Sequence, residues 1–206
     1  MADTGADAET IAVYDARGDD YARLVDGAAE TPGLASFMKL VRPGGTVLDL
    51  GCGPGGMAAI LRDGGFAVTA VDASSRMVEL AGQRGGFAVR RASFEDSYPA
   101  EAYDGIWASF SLLHARRERL PSLIAKFVAS LRDGGIFHIG MKTATKDRNR
   151  DGRDALGRYY AYYSRDELVA MFAACGLKPL REFAGEGAGL SGEVSPWVEI
   201  QARKNP

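Results

Sequence analysis

The chain has 206 residues, 46% of them apolar, and carries 25 basic against 27 acidic side chains for a net charge of −2. That length suits one packed domain with about 30 to 40 residues over for an extension or lid. The charge balance disfavours a nucleic-acid partner, which would need a local basic patch, and acids interrupt both candidates, Arg116 to Arg119 and Lys142 to Arg153.

The first 45 residues read as helical and rather polar. Ile11, Tyr14, Tyr21, Leu24 and Val25 recur at helical spacing broken by Gly18, and Pro32 begins a second apolar stretch, PGLASFMKLV, ended by Pro43-Gly44-Gly45. Residues 1–43 are expected to form an N-terminal helical lid, and residues 44–206 the main domain. From there the pattern alternates: strand TVLDL, helix GMAAILRDGG, strand FAVTAVD, helix SSRMVELAGQRGG, strand FAVRRA. YDGIWASFSLLH holds a fourth strand, RLPSLIAKFVASLRDGG a helix and IFHIGMKT a fifth strand. A polar, charged loop over residues 143–158 precedes the helix SRDELVAMFAACG. LKPLREFAG and WVEIQARK then follow as two strands with no helix between them, a hairpin at the sheet edge. Such alternation implies a mostly parallel sheet covered by helices on both faces. The start of the chain lacks a signal-peptide pattern, and no run approaches the roughly 18 apolar residues of a membrane span. Cys52 and Cys175 suit neither a disulfide framework nor a metal site, so a cytoplasmic protein without a metal is expected, off the membrane and as monomer or homodimer.

The stretch VLDLGCGPG, residues 47 to 55, runs a strand straight into a cluster of glycines with another at Gly56. Gly51-x-Gly53-x-x-Gly56 fits a dinucleotide fingerprint, and Asp72 closes the next strand where a ribose-binding acid belongs. Asp49 discriminates. A carboxylate two residues before the first glycine opposes a pyrophosphate, which prefers amide donors and a helix N-terminus, but welcomes an ammonium. A ligand with an ammonium at one end, a ribose diol in the middle and a base beyond explains both acids. S-adenosylmethionine has that construction.

VLDLGCGPGG followed by VDAS-x-x-M resembles the first two motifs of the class I S-adenosylmethionine-dependent methyltransferases, over about residues 45 to 140. The resemblance implies an α/β, Rossmann-like fold with a mostly parallel seven-stranded sheet and a C-terminal antiparallel hairpin. It implies that Asp49 anchors the methionine end of the cofactor and that Gly51, Cys52, Gly53 and Gly55 form the turn against it. Asp72 would accept both ribose hydroxyls with Ala73 beside it, and Met77, equally a core position, would pack near the adenine. Ser93 and Phe94 would meet the adenine edge, and Ser109 would complete the cofactor set.

The acceptor site belongs beyond the carboxyl ends of the fourth and fifth strands. His114, with an ordinary pKa near 6.5, suits proton removal there; contact with the pocket or a structural role are the other readings. His138, inside the fifth strand, is expected to be packed. The segment from strand four onward, with Lys142 and the run RYYAYY, is also similar to the small methyltransferases grouped with tellurite- and thiopurine-resistance enzymes. On that likeness Lys142, Arg158, Tyr159 and Tyr162 would clamp an anionic or polarizable acceptor, the alternative for the tyrosines being packing at a helix start. Tyr14 and Tyr21 would close over the acceptor or simply pack an amphipathic helix. The implied function is methyl transfer to a small molecule, giving S-adenosylhomocysteine. The alternatives are a methyltransferase of RNA or protein and a non-catalytic S-adenosylmethionine-binding regulator.

Overall fold

Strand β1 (Thr46–Leu50) carries the apolar run TVLDL, buried from Val47 onward, as a strand covered on both faces must be. In the computed structural model, which describes residues 7–25, 31–146 and 151–206, Val47 enters one hydrophobic core and Leu48 the other. β2 (Ala67–Asp72) and β3 (Ala88–Arg91) extend the sheet in parallel to one side. β4 (Tyr103–Ser109) and β5 (Leu131–Lys142) extend it in parallel to the other. β6 (Asp151–Arg153) and β7 (Tyr159–Ala161) pair with each other in a separate hairpin. β8 (Leu177–Ala188) and β9 (Val194–Lys204) form the antiparallel edge, with β9 against β5. The order β3-β2-β1-β4-β5-β9-β8 gives the expected seven strands. The chain reverses its winding between β1 and β4, and a crevice opens at such a switch point, beyond the carboxyl ends of the strands.

Seven helices complete the described residues. α1 (Ala8–Ala16) and α2 (Gly18–Val25) lead into α3 (Pro32–Leu40), which packs Leu34 and Phe37 with Leu61 of α4 (Gly56–Asp63) and Ala81 of α5 (Ser75–Arg84). α6 (Leu120–Ser130) and α7 (Arg165–Ala174) cover the opposite face through Ile124, Phe127 and Phe172.

Helix α1 is tied down at both ends. Asp7 caps it by accepting from the Thr10 N–H at 3.0 Å, and also accepts from Arg153 at 2.8 and 2.9 Å. The Thr10 hydroxyl accepts from the Tyr159 N–H at 2.8 Å. At the other end Asp15 accepts from the Ser74 hydroxyl at 2.7 Å and the Arg76 N–H at 3.1 Å. The helix therefore bridges the open end of the sheet, from β7 to the start of α5. Residues 1–6 and 26–30 of the expected lid, and 147–150 of the expected loop, lie outside the described residues.

Two stretches differ from the sequence reading. The fourth strand ends at Ser109, and Leu112–His114 forms one tight helical turn. The YYAYY run is neither exposed nor helical: Tyr159–Ala161 is a strand, and all five residues are buried. The following helix cannot begin earlier because its start is fixed by a reciprocal cap. The Ser164 hydroxyl accepts from the Glu167 N–H, and the Glu167 carboxylate accepts from the Ser164 N–H.

Candidate functional site

The turn after β1 is shaped by glycines for two separate reasons. Gly51 has φ +74°, and a Cβ there would lie 2.3 Å from the Cβ of Ser111, so the turn and the segment after β4 approach as only glycine allows. Gly53 frees its N–H to donate to Asp72 at 2.9 Å. Gly55 does not line the three cavities described below: it precedes α4, and a Cβ would sit 2.9 Å from that of Ala81, so a glycine there lets α4 pack on α5.

Asp72 also accepts from the Ser74 N–H at 2.9 Å. Burial nevertheless holds its carboxyl up at about 6, against the pull of the Ser74, Gly53 and Ala73 amides. Asp49 is more strained electrostatically. It is buried, its Oδ2 has no hydrogen-bond partner, and burial, then the charge of Asp72, push its pKa up to about 8. An unpartnered buried carboxylate oxygen is costly and marks a place for a donor or a cation.

Three cavities meet at this end of the sheet. The first, of about 80 Å³, is lined by Asp72, Ala73, Met77, Ala92, Phe94 and the unpartnered hydroxyl residue Ser111. The second, of about 240 Å³, is lined by Asp49, Cys52, Gly53, Met57 and Glu199. The third, of about 300 Å³, is lined by Tyr14, His114, Lys142, Arg158, Tyr160 and Trp197. Ser109 lines the first two, and Tyr21 and Phe110 line all three.

Phe110 and Glu199 escaped the sequence reading. Phe110 adopts φ +53°, a conformation rare for a bulky residue and found where a site demands it. Its backbone lies so close to Gly140 that a Cβ there would be 3.2 Å from the Phe110 nitrogen. No local pattern announces this. Glu199 had a signal, an acid within the strand WVEIQARK. It is buried, its Oε2 falls 2.1 Å from where a Cβ of Gly33 would be, and burial raises its pKa to about 7.

His114 is locked into a chain of hydrogen bonds. Its Nδ1 lies 2.6 Å from the Tyr159 carbonyl, which can only accept, so Nδ1 carries the proton. Nε2 then accepts from the Tyr14 hydroxyl at 2.9 Å. The Arg158 Nη1 donates to that same hydroxyl at 2.9 Å, while its Nε and Nη2 donate to Asp154 at 3.0 and 2.6 Å. Burial lowers the His114 pKa to about 4, opposed by the Tyr159 carbonyl. The imidazole is neutral at pH 7, with its lone pair already engaged by Tyr14.

The remaining expected residues divide. Tyr14, Tyr21, Lys142 and Arg158 line the third cavity, but Tyr159 and Tyr162 do not. Tyr160 lines it instead: alternation along β7 turns Tyr160 away from the side of Tyr159, and Tyr162, beyond the strand, lies behind Tyr160. The Tyr159 hydroxyl donates to Asp151 at 2.7 Å, and Tyr162 stacks against Tyr160. Ser93 lies off the cavity between two residues that line it. Its N–H donates to Asp96 at 2.6 Å and its hydroxyl accepts from the Glu95 N–H at 3.2 Å. The Cys52 thiol is raised by burial and by the nearby acids and stays protonated. His138 is fully buried, stacked on Trp107 with ring centres 3.6 Å apart. Among the described residues no group of three or more His, Cys, Asp or Glu could hold a metal ion.

The first two cavities suit a cationic ligand that carries hydroxyls, and this agrees with the relatives found. An uncharacterized methyltransferase of Staphylococcus carnosus (strain TM300) is 32% identical over 91 residues, covering 44% of each chain. A malonyl-[acyl-carrier protein] O-methyltransferase of Enterobacter lignolyticus (strain SCF1) is 34% identical over 93 residues, 44% of this chain and 36% of that protein. The chain thus spans less than half the length of these curated relatives. Among solved structures, the Burkholderia thailandensis 1,6-didemethyltoxoflavin-N1-methyltransferase superposes with a TM-score of 0.76. The match covers 97% of this chain and 88% of that one at 23% identity, and it shows a shared class I methyltransferase fold. A family model described as a methyltransferase domain matches residues 21–182. That is well over half of the sequence, and the chain belongs to the methyltransferase-domain family.

Proposed function

We propose that the protein is an S-adenosylmethionine-dependent methyltransferase that modifies a small molecule and releases S-adenosylhomocysteine. The observation that carries this reading is the meeting of the three cavities at Tyr21 and Phe110, with acids on the cofactor side and cations on the acceptor side. Asp72 would accept the two ribose hydroxyls, and Asp49 with the turn from Gly51 to Gly53 would hold the amino end. Ala73, Met77, Ala92 and Phe94 would enclose the base, and Ser109 would wall the junction. S-adenosylmethionine, when bound, supplies a methyl group already activated by its sulfonium. The protein's task is to orient the acceptor, exclude water and receive a proton where one must leave.

His114 serves that last task only in relay. With Tyr14 on its Nε2, a proton would pass from the acceptor to the Tyr14 oxygen as the Tyr14 proton moves to Nε2, and Arg158 would steady the oxygen. A base near 4 pulls weakly, so the site suits nucleophiles that ionise readily or need little deprotonation.

The small-molecule reading is supported by the size of the third cavity, about 300 Å³, in the range of small-ligand sites. The neighbour from Burkholderia thailandensis holds 1,6-didemethyltoxoflavin together with S-adenosylhomocysteine. Arginines of the two basic stretches are paired with acids, Arg117 with Glu167, Arg119 with Glu95 and Arg153 with Asp7, which offers little to RNA. We extend the proposal to residues 1–43 as a helical lid over residues 44–206, to a branch similar to the tellurite- and thiopurine-resistance type of enzyme, and to a cytoplasmic monomer or homodimer. Among the described residues no helix is long and apolar enough to cross a membrane.

The test is incubation with S-adenosylmethionine carrying a labelled methyl group and a panel of thiols, phenols, carboxylates, amines and oxyanions. Labelled product with S-adenosylhomocysteine is expected. Tight cofactor binding without turnover on any acceptor would favour a non-catalytic regulator instead.

A further inference from the structure

The third cavity contains a feature that specifies its occupant more closely. The charged side chains that line it, Lys142 and Arg158, are both cationic. A Cβ added at Gly189 would stand 3.6 Å from the Lys142 Nζ and 3.9 Å from the Arg158 Nη2, so one small niche, left open by a glycine, faces both cations. The Ser195 hydroxyl lines the same cavity and is buried with no hydrogen-bond partner. Arg158 uses three of its five N–H groups on Asp154 and Tyr14, which leaves donors on the guanidinium. Two cations and an unsatisfied hydroxyl around one void match a carboxylate or a similar anionic oxygen group.

The position of the niche decides what that anion does. Tyr21 and Phe110 border all three cavities, whereas Lys142, Arg158, Gly189 and Ser195 border only the third. The niche therefore belongs to the third cavity alone, and Arg158 serves both ends of it, with Nη1 on the Tyr14 hydroxyl and Nη2 toward Gly189. The rings of Tyr160 and Trp197 line the same cavity, Tyr160 with the Lys142 Nζ 4.8 Å from its centre and Trp197 with its ring centre 6.1 Å from that of Phe110, and offer walls for a flat body.

We infer that the acceptor is a planar small molecule with two working ends: a nucleophilic atom that reaches Tyr21 and Phe110, and a carboxylate-like group seated between Lys142, Arg158 and Ser195 beside Gly189. This rests on the reading of the third cavity as the acceptor site. It adds that recognition is by charge on a group other than the methylated atom.

The test is titration calorimetry on the full chain saturated with S-adenosylhomocysteine. The probes are 3- and 4-hydroxybenzoate and 6-hydroxy-2-naphthoate, each beside its neutral carboxamide. At least one acid is expected to bind about 10-fold or more tightly than its amide, the loss of a charge-assisted contact. That preference should fall several-fold in Lys142→Met and Ser195→Ala. It should also fall in Gly189→Ala, which fills the niche without removing a charge. S-adenosylhomocysteine affinity measured on the same samples should stay unchanged in all three variants. If the wild type takes up S-adenosylhomocysteine but no acid exceeds its amide, or if the preference survives in every variant, the anion niche is wrong and the methyltransferase reading stands. If S-adenosylhomocysteine itself does not bind, the failure belongs to the proposed function.

Discussion

The proposed cofactor side and the proposed acceptor side of this site are built from opposite charges, and by different means. On the cofactor side Asp49, Asp72 and Glu199 are fixed by the sheet, two of them at strand ends and one inside β9, and burial raises all three pKa values. On the acceptor side Lys142 and Arg158 lie at and beyond the end of β5, and Arg158 is steadied by Asp154 and by Tyr14 of α1. The sheet places the acids and Lys142, whereas Arg158 lies outside any strand and is placed by Asp154 four residues before it and by Tyr14 144 residues away. The first arrangement suits a ligand that never changes, and the second one that is set by whatever the loops supply.

Removing an acid should expose this difference most. Asp72→Ala is expected to weaken S-adenosylmethionine binding about 10² to 10³-fold, since hydrogen bonds to a charged group contribute roughly 1.5–3 kcal/mol each. Calorimetry checks this, and unchanged affinity would take Asp72 out of the site. On the acceptor side, Tyr14→Phe breaks the relay and His114→Ala removes its end. For an acceptor that must lose a proton, each should cost about 10 to 10²-fold in kcat while S-adenosylhomocysteine affinity holds. Near-normal turnover in both would leave His114 a wall of the cavity.

Further effects come from pH. Binding a cation favours the ionised form of the acids beside it, so the ligand expels any proton they hold. With free-protein pKa values of about 6, 7 and 8 for Asp72, Glu199 and Asp49, affinity should rise between pH 6 and pH 8 by about 50-fold from the ionisation of Asp49 alone, and by more where the other two must ionise as well. Asp49→Asn should flatten the upper part of that curve, visible as an apparent Kd nearly level above pH 7. Stability of the free protein should move the other way. These carboxyls titrate higher folded than unfolded, so their contribution is full below about pH 4 and is lost as pH rises through 6 to 8. Thermal melts should therefore drop by a few degrees from pH 5 to pH 8, and saturating cofactor should remove most of that drop. Asp7 acts in the opposite sense at low pH: its bond to Arg153 lowers its pKa to about 2, a contribution lost only as pH falls below about 4.

Much of the cofactor side was legible in the residue string because its signals are local. The run from Val47 through Gly56 and the acid at Asp72 declare a strand, a turn without side chains and a second strand end within 30 residues. The acceptor side depends on pairings across the chain. Tyr14 meets His114 over a separation of 100 residues and Arg158 over 144. Which of the tyrosines from 159 to 163 faces the cavity depends on whether that run is helix or strand. Composition left this open; the pairing of β7 with β6 separates Tyr160 from Tyr159, and the stacking of Tyr162 on Tyr160 leaves Tyr160 at the cavity. Ser93 was hard to place for a similar reason: in the turn SFED its N–H is taken by the Asp96 carboxylate and its hydroxyl by the Glu95 N–H, bonds that no residue pattern announces. The strained backbone of Phe110 is a product of tertiary contact and leaves no mark in the sequence.

The central claim is that the cofactor side is a set of desolvated carboxyls waiting for a cation with a sugar diol. It is tested most directly by titrating S-adenosylmethionine into the protein at pH 7 in buffers of different ionisation enthalpy. The account predicts saturable binding with net release of a proton, and no comparable heat from a pyrophosphate dinucleotide. Binding without proton release, or uptake of the dinucleotide in place of the sulfonium nucleoside, would contradict it.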